Sequence, residues 1–226
     1  MTEMIALSDI LTALLHPIRL FKEKTRFLLS SVQGEKENTL RCHSAIVKKT
    51  KIKFKGKDND ICLDGCEIYN CDIFLRGNGH KLILEKDVKL YNMRIKIIGN
   101  RNTLHIESGT SIADGNIIGG GVSIPIHIGR KCMIAEGVDI WSTDTHSIFE
   151  DGNLVNPPQP IHIGNHVWIG KDVAILKGVT IGDDAIIGMK SMVTHDVQAN
   201  SLNVGSPAKQ IREKVSWAKS NPNNKS

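Results

Sequence analysis

The side chains able to move a proton near neutral pH are nine histidines, since imidazole titrates near ~6.5. His146 stands apart by position. It lies in Ser142-Thr-Asp-Thr-His-Ser-Ile148, with Asp144 two residues before it. Residues two apart in an extended segment face the same side. Asp144 can therefore fix the tautomer of the imidazole or bind a hydroxyl; the plainer reading is a turn aspartate. His162 and His166 follow closely and are the rivals. His16, His43 and His80 are too far down the chain, and His105 and His127 are read as solvating an edge. The five cysteines (Cys42, Cys62, Cys66, Cys71, Cys132) are odd in number. Cys62-Leu-Asp-Gly-Cys66 and Cys71 lack a zinc spacing and a second ligand pair. Reduced, buried thiols and no metal are expected.

What positions these residues is a repeat. Six consecutive hexapeptides run from Ile163 to Gln198, starting at Ile163, Ile169, Ile175, Ile181, Ile187 and Val193. The second position is Gly in four of them and the fifth is Val, Ala or Ser. A period of six fits neither a helix nor an amphipathic strand. It fits a chain that turns a corner every six residues and closes a coil every eighteen. Such a coil cannot bury its apolar face alone and must stack on the next. The first-position aliphatics are assigned to the axis and the fifth-position residues to crowded corners. The glycines are assigned to corner backbone angles.

Upstream, the starts Leu40, Cys62, Leu84, Ile106 and Ile128 recur every 22 residues. Each unit reads as three hexapeptides plus four residues: Asp58–Ile61, His80–Ile83, Asn102–His105 and Ile124–His127. Lys96 falls on an axial position, which predicts a distorted coil. After Ile140 the next clean repeat waits until Ile163, so the extension has grown into the segment His146–His162. About seven coils between Leu40 and Gln198 predict a prism roughly 30–35 Å tall at ~4.8 Å per strand. A loop rooted in a rigid stack is where function tends to sit, and His146 is at its root.

Aromatic content is 4%, which suits a core of Ile, Val and Leu, and the net charge of +5 is too small to mark a nucleic-acid partner. It agrees with a polyanionic small ligand. No secretory signal or membrane-spanning run is read, so a cytoplasmic protein is expected. Residues 1–39 read as an N-terminal helical cap, since apolar residues recur at helical spacing from Met4 to Ser30, with Pro17 splitting the run. The basic cluster Arg19, Lys22, Lys24 and Arg26 suggests a weak membrane-surface contact through residues 4–30 as the alternative. Residues 40–198 form the coil domain with protruding loop 146–162. Residues 199–226 hold a short helix and a polar tail expected to be disordered.

Ile161-His-Ile-Gly-Asn-His-Val-Trp-Ile-Gly170, Gly178-Val-Thr-Ile-Gly-Asp-Asp-Ala-Ile-Ile-Gly188 and Asn203-Val-Gly-Ser-Pro-Ala-Lys209 resemble the left-handed β-helix, hexapeptide-repeat acyltransferases. These include galactoside and maltose acetyltransferases and the O-acetyltransferases of bacterial surface polysaccharides. The close match runs from Ile128 to Arg212; residues 1–127 match in period only. The resemblance implies an all-β, left-handed parallel β-helix, a homotrimer and acetyl-CoA as donor. Period alone does not give the hand.

The resemblance also implies roles. The family's histidine base falls on His146. It would deprotonate a sugar hydroxyl as that hydroxyl attacks the thioester. Trp168 matches a tryptophan beside pantetheine or acceptor; its plainer reading is a corner-packing aromatic. Gly170 and Gly188 would let the CoA arm approach the backbone. Thr194, Lys209 and Arg212 match CoA-contacting positions. Ser142 or a corner N–H would serve the oxyanion. His146 and Trp168 should sit about one prism face apart, which predicts a cleft between neighbouring subunits. The expected activity is O-acetylation of a saccharide hydroxyl in surface-polysaccharide synthesis. The alternatives are N-acetylation of an amino sugar and a non-catalytic trimeric β-helix scaffold.

Overall fold

The computed structural model describes residues 19–23, 25–34 and 36–219. They form a three-sided, left-handed β-helix. Two faces are eight-stranded sheets and the third is ten-stranded, because each turn of chain contributes one strand to each face. All neighbours within a face are parallel except the last pair, Ser201–Val204 against Lys209–Glu213.

Backbone hydrogen bonds between coils fix which residue lies over which. On the first face the column Cys42, Leu63, Leu84, Ile106, Ile128, Ile163, Ile181 runs up the axis. Every member is buried. The third face contributes Ile52, Ile73, Ile95, Ile117, Ile140, Ile175 and Val193 in the same way. The fifth-position residues Val167, Val173, Val179, Ala185, Ser191 and Val197 are also buried.

Several expectations are corrected by this register. Leu40 pairs with Ile61, not Cys62, because the coils there hold 21 residues. A one-residue slip turns a side chain to the opposite face, and Cys62 is accordingly only half-buried. Lys96 distorts nothing. It points outward between Phe74 and Ile118, and Ile95 takes the axial place. Residues 19–23 and 25–33 are not helical: strands Arg19–Glu23, Arg26–Leu28 and Ser31–Gln33 form a further coil at the base. Residues 1–18 of the expected helical cap lie outside the described residues. The short helix expected after Arg212 is absent: residues 214–219 are irregular, and the preceding strand Lys209–Glu213 is bonded to the edge of the second face.

The hexapeptide glycines work by close approach rather than by backbone angle. Positive φ falls at the fourth position, on His166, Asp172, Gly178, Asp184 and Lys190. A Cβ on Gly164 would meet the Asp183 backbone nitrogen at 2.8 Å.

The corner at which each four-residue extension begins carries a polar ladder. Asn38 Oδ1 accepts from the Asn59 backbone N–H at 3.1 Å, and Asn59 Oδ1 from that of His80 at 2.9 Å. His80 Nδ1 accepts from Asn102 at 3.2 Å while its Nε2 lies 3.1 Å from the Arg76 carbonyl. That pattern assigns a neutral ring protonated at Nε2, and burial lowers its pKa. Asn59, His80 and Asn102 are thus each bonded to a residue one coil away. Burial also pushes the Cys66 thiol up to about 12 and those of Cys71 and Cys132 to about 11. Among the described residues no disulfide links the cysteines.

Gly77, Gly99 and Gly121 stack at the same corner with φ of 121°, 108° and 94°. A Cβ on Gly99 would land on the carbonyl oxygen of Gly121. Gly99→Ala is expected to lower stability by about 2–4 kcal/mol in denaturant titration. Gly152→Ala shares a positive φ but meets nothing within 4 Å, and should cost only about 1–2 kcal/mol.

Candidate functional site

The sixth full coil is closed over 35 residues, from Ile126 to Ile161. The surplus leaves the prism after strand Val138–Trp141 on the third face. Ser142 forms the root. Its N–H donates to Ile118 O at 3.0 Å, and its carbonyl accepts from Gln159 N at 3.0 Å. Its Oγ accepts from the Gly120 N–H at 3.3 Å and the residue is fully buried. That inward hydroxyl is unsuited to the oxyanion role considered for it. At its tip the loop makes a hairpin, Phe149–Glu150 with Asn153–Leu154. Asp151 and Gly152 turn it with φ of 48° and 79°, the Asp-Gly turn that matches strand twist.

Between root and hairpin lies His146. Asn156, which the sequence did not single out, ties this stretch together. Its Nδ2 donates to the His146 carbonyl at 2.9 Å and to Asp144 Oδ2 at 2.8 Å. Its Oδ1 accepts from the Ile148 N–H at 2.6 Å. Lys177 adds a second tie, with Nζ on the Asp144 carboxylate and on the Asn156 carbonyl at 3.0 Å. Lys177 arrives there because Leu176 lies directly over Trp141 in the next coil. Its ammonium holds the Asp144 carboxyl below its usual range, with the Asn156 amide helping. Thr145 takes a left-handed backbone, φ 63°, and its N–H donates to Thr143 Oγ1 at 3.1 Å. For a β-branched residue that angle costs on the order of 1–3 kcal/mol.

The result is a pinned backbone under an unclaimed ring. Among the described residues no hydrogen bond, ion pair or ring contact is recorded for the His146 imidazole, and the residue is exposed. Asp144 bonds Lys177 and Asn156, not that imidazole. Both rivals are engaged. His166 Nδ1 lies 2.7 Å from Asp184, and its ring stacks on Trp217 at 4.3 Å. His162 stacks on His127 at 4.7 Å.

Trp168 sits on the second face, over Met133 and under Ile186, and is 39% exposed. One chain therefore separates it from His146 by a prism edge. Trp217, expected in a helix, folds back instead. Its Nε1 donates to the His166 carbonyl at 2.7 Å, and its ring tilts toward Trp168 at 6.1 Å. No periodicity marks it in the sequence. Gly170 and Gly188 are needed for coil packing: a Cβ on Gly170 would strike the Met189 backbone nitrogen, and one on Gly188 the Val204 side chain. Thr194 Oγ1 lies 2.8 Å from His195 Nδ1. Lys209 and Arg212 are exposed on the terminal strand, whose approach is fixed by Ala208 N donating to Met192 O at 2.7 Å.

Residues 160–195 match the bacterial transferase hexapeptide (six repeats) family model. A polysialic acid O-acetyltransferase of Neisseria meningitidis is 32% identical over 138 residues, 60% of this chain and 63% of that protein. The galactoside O-acetyltransferase of Escherichia coli is 41% identical over 91 residues, 39% and 44% of the two chains. These alignments thus span less than two thirds of either relative. In three dimensions the likeness extends further. A crystal structure of a polysialic acid O-acetyltransferase superposes with a TM-score of 0.79 at 28% identity, covering 88% of this chain and 94% of the other. That of a polysialic-acid-specific acetyltransferase gives 0.75 at 26%, over 89% and 90%.

This chain is a β-helix carrying hexapeptide repeats, similar in sequence to polysialic acid and galactoside O-acetyltransferases and in fold to the former.

Within that relationship the loop anchor can be tested directly. Asn156→Ala should lower the amide-exchange protection of Ile148 at least tenfold and leave the axial strands unchanged. The Asp144 anchor has a definite pH range. A depressed carboxyl pKa contributes stability above the unfolded value near 3.8 and loses it as pH falls through the lower folded value. Protection of Ile148 should hold from neutral pH down to about 4 and collapse only below.

Proposed function

We propose that the chain is an acetyl-CoA-dependent O-acetyltransferase of saccharide hydroxyls, acting in surface-polysaccharide assembly. The observation that carries this reading is the His146 imidazole, exposed and unpartnered on a loop whose backbone is fixed on both sides. A general base must be free to accept a proton yet held to within fractions of an ångström. The fold relationship to polysialic acid O-acetyltransferases supports the chemical class. Such chemistry on acetyl-CoA fits a cytoplasmic enzyme.

In the proposed step the acceptor hydroxyl oxygen attacks the thioester carbonyl carbon. His146 takes the hydroxyl proton as the C–O bond forms. The C–S bond then breaks, and His146 returns the proton to the departing thiolate. The acetyl group passes directly to the sugar, with no acyl-enzyme. Asp144 acts as a positioning residue, through Asn156, on the backbone of His146.

The donor site is read at the C-terminal end of the prism. Lys209 and Arg212 are exposed cations suited to the CoA phosphates, although Lys209 lacks the bidentate fork of an arginine. Trp168 offers a flat face to the pantetheine arm. Close approach of that arm to Gly170 and Gly188 is not part of the reading, because coil packing already claims their open sides.

His146 and Trp168 lie on different faces of one chain, so the reading places the reaction between neighbouring copies in a homotrimer. The loop supports this arrangement: Ile148, Phe149, Leu154 and Val155 are 45–65% exposed, a patch suited to a neighbouring prism.

His146→Ala should lower kcat for thiol release from acetyl-CoA, with an oligosaccharide acceptor, by about 10²–10⁴-fold. The product should lose its acetyl group in mild alkali, as an ester does and an amide does not. Full activity in the variant would remove His146 as the base. An alkali-stable product would shift the reading to amino-sugar N-acetylation. No thiol release by the wild-type chain across acceptors would favour a scaffold.

A further inference from the structure

The outer side of the first face carries a second cluster, away from His146. The 22-residue step places His105 directly beside His127, and the 35-residue step places His127 beside His162. Glu85 and Glu107 lie one coil away from their histidine partners. His105 Nε2 is 2.8 Å from Glu85 Oε1, and His127 Nε2 is 2.9 Å from Glu107 Oε1. His127 Nδ1 is 3.1 Å from His162 Nδ1. One ligand atom each from His105, Glu107 and His127 lies within 4.8 Å of the other two. All three residues are half-buried on a sheet whose backbone is fully bonded.

We propose that His105, Glu107 and His127 bind one divalent transition metal of the zinc class on the outside of the first face. Two imidazoles and a carboxylate form a borderline donor set that suits zinc over magnesium or calcium. Bond lengths of about 2.0–2.2 Å put tetrahedral ligand atoms roughly 3.4 Å apart. The ligand atoms now lie within 4.8 Å of one another and would close in around the ion.

The outer partners are already in place. A metal-bound histidine holds its second ring nitrogen on a carboxylate, carbonyl or comparable acceptor. Glu85 occupies His105 Nε2, leaving Nδ1 for the metal. Glu85 is itself fixed by the Ser108 N–H, which donates to Oε2 at 3.1 Å. At His127 the metal replaces the proton shared between Nε2 and Glu107. Nδ1–H then donates to His162 Nδ1. The fourth position faces solvent and takes water. The ion would clip the fifth coil to the sixth, the coil that carries the loop.

The test uses the full chain, stripped with chelator and titrated with Zn²⁺ against a chromophoric competitor, with native mass spectrometry for stoichiometry. One Zn²⁺ per chain is expected. Affinity should fall more than 100-fold in the His105→Gln/His127→Gln double variant. It should fall about 10–100-fold in Glu85→Gln or His162→Gln. The wild-type melting temperature should rise with Zn²⁺, and that of the double variant should not. Wild-type protein that takes up no stoichiometric Zn²⁺ would overturn the proposal without reference to any variant. So would a folded double variant that binds as tightly as wild type. Neither readout depends on acyl transfer.

Discussion

The parallel register between coils is the constraint from which the rest of this molecule follows. Each strand bonds to the strand one turn below and one turn above. A residue's surroundings are therefore set by what lies about 18, 21, 22 or 35 positions away, not by its chain neighbours. The same rule stacks aliphatics along the axis, asparagines at one corner and histidines on one outer face. It explains why Gly99 tolerates no Cβ, since the next coil's carbonyl occupies that space. A solenoid of this kind is held by nearest-neighbour contacts, so one misfit coil would be felt on both sides.

The loop is the place where register is kept but length is not. Ile126 and Ile161 still pair, and the surplus chain is expelled at the edge of the third face. Ser142 seals the breach from inside through Ile118, Gly120 and Gln159. Lys177, delivered by the following coil, reaches out to Asp144 and Asn156. The stack thus supplies both the gap and the anchor. Strain at Thr145 is tolerated because these bonds over-determine the backbone on either side. The ring they leave free is His146. Its two rivals lack that freedom: His166 is held by Asp184 and Trp217, and His162 by the imidazole column.

Much of this was legible in the residues. The hexapeptides from Ile163 to Gln198 announce a coiled stack, and the interval before Ile163 marks the loop. What stayed hidden depends on one-residue differences or on partners a coil away. A 21-residue coil and a 22-residue coil look alike in period, yet the difference decides whether Ile61 or Cys62 faces the axis. Lys96 looked like an interruption because the axial place had been counted one residue late. Residues 19–33 alternate too briefly to oppose a helical spacing of leucines, and only pairing to Thr39–His43 and its neighbours reveals a coil. Asn156 and Lys177 carry no motif; their roles come from reach, 10 and 33 residues back along the chain. The histidine column is invisible for the same reason, because its members are 22 and 35 residues apart.

Under the proposed reading, the separation of His146 and Trp168 on one chain calls for two copies to complete a site. Mixed assemblies test this most directly. His146→Ala chains and Trp168→Ala chains, each expected to be nearly inactive alone, would be unfolded together, refolded and assayed for thiol release from acetyl-CoA. Recovery of a substantial fraction of wild-type activity is expected, since some junctions would pair an intact imidazole with an intact indole from its neighbour. Mixed assemblies no more active than the two parents would show that both residues serve within a single chain, or that one serves not at all, and would contradict a cleft shared between subunits.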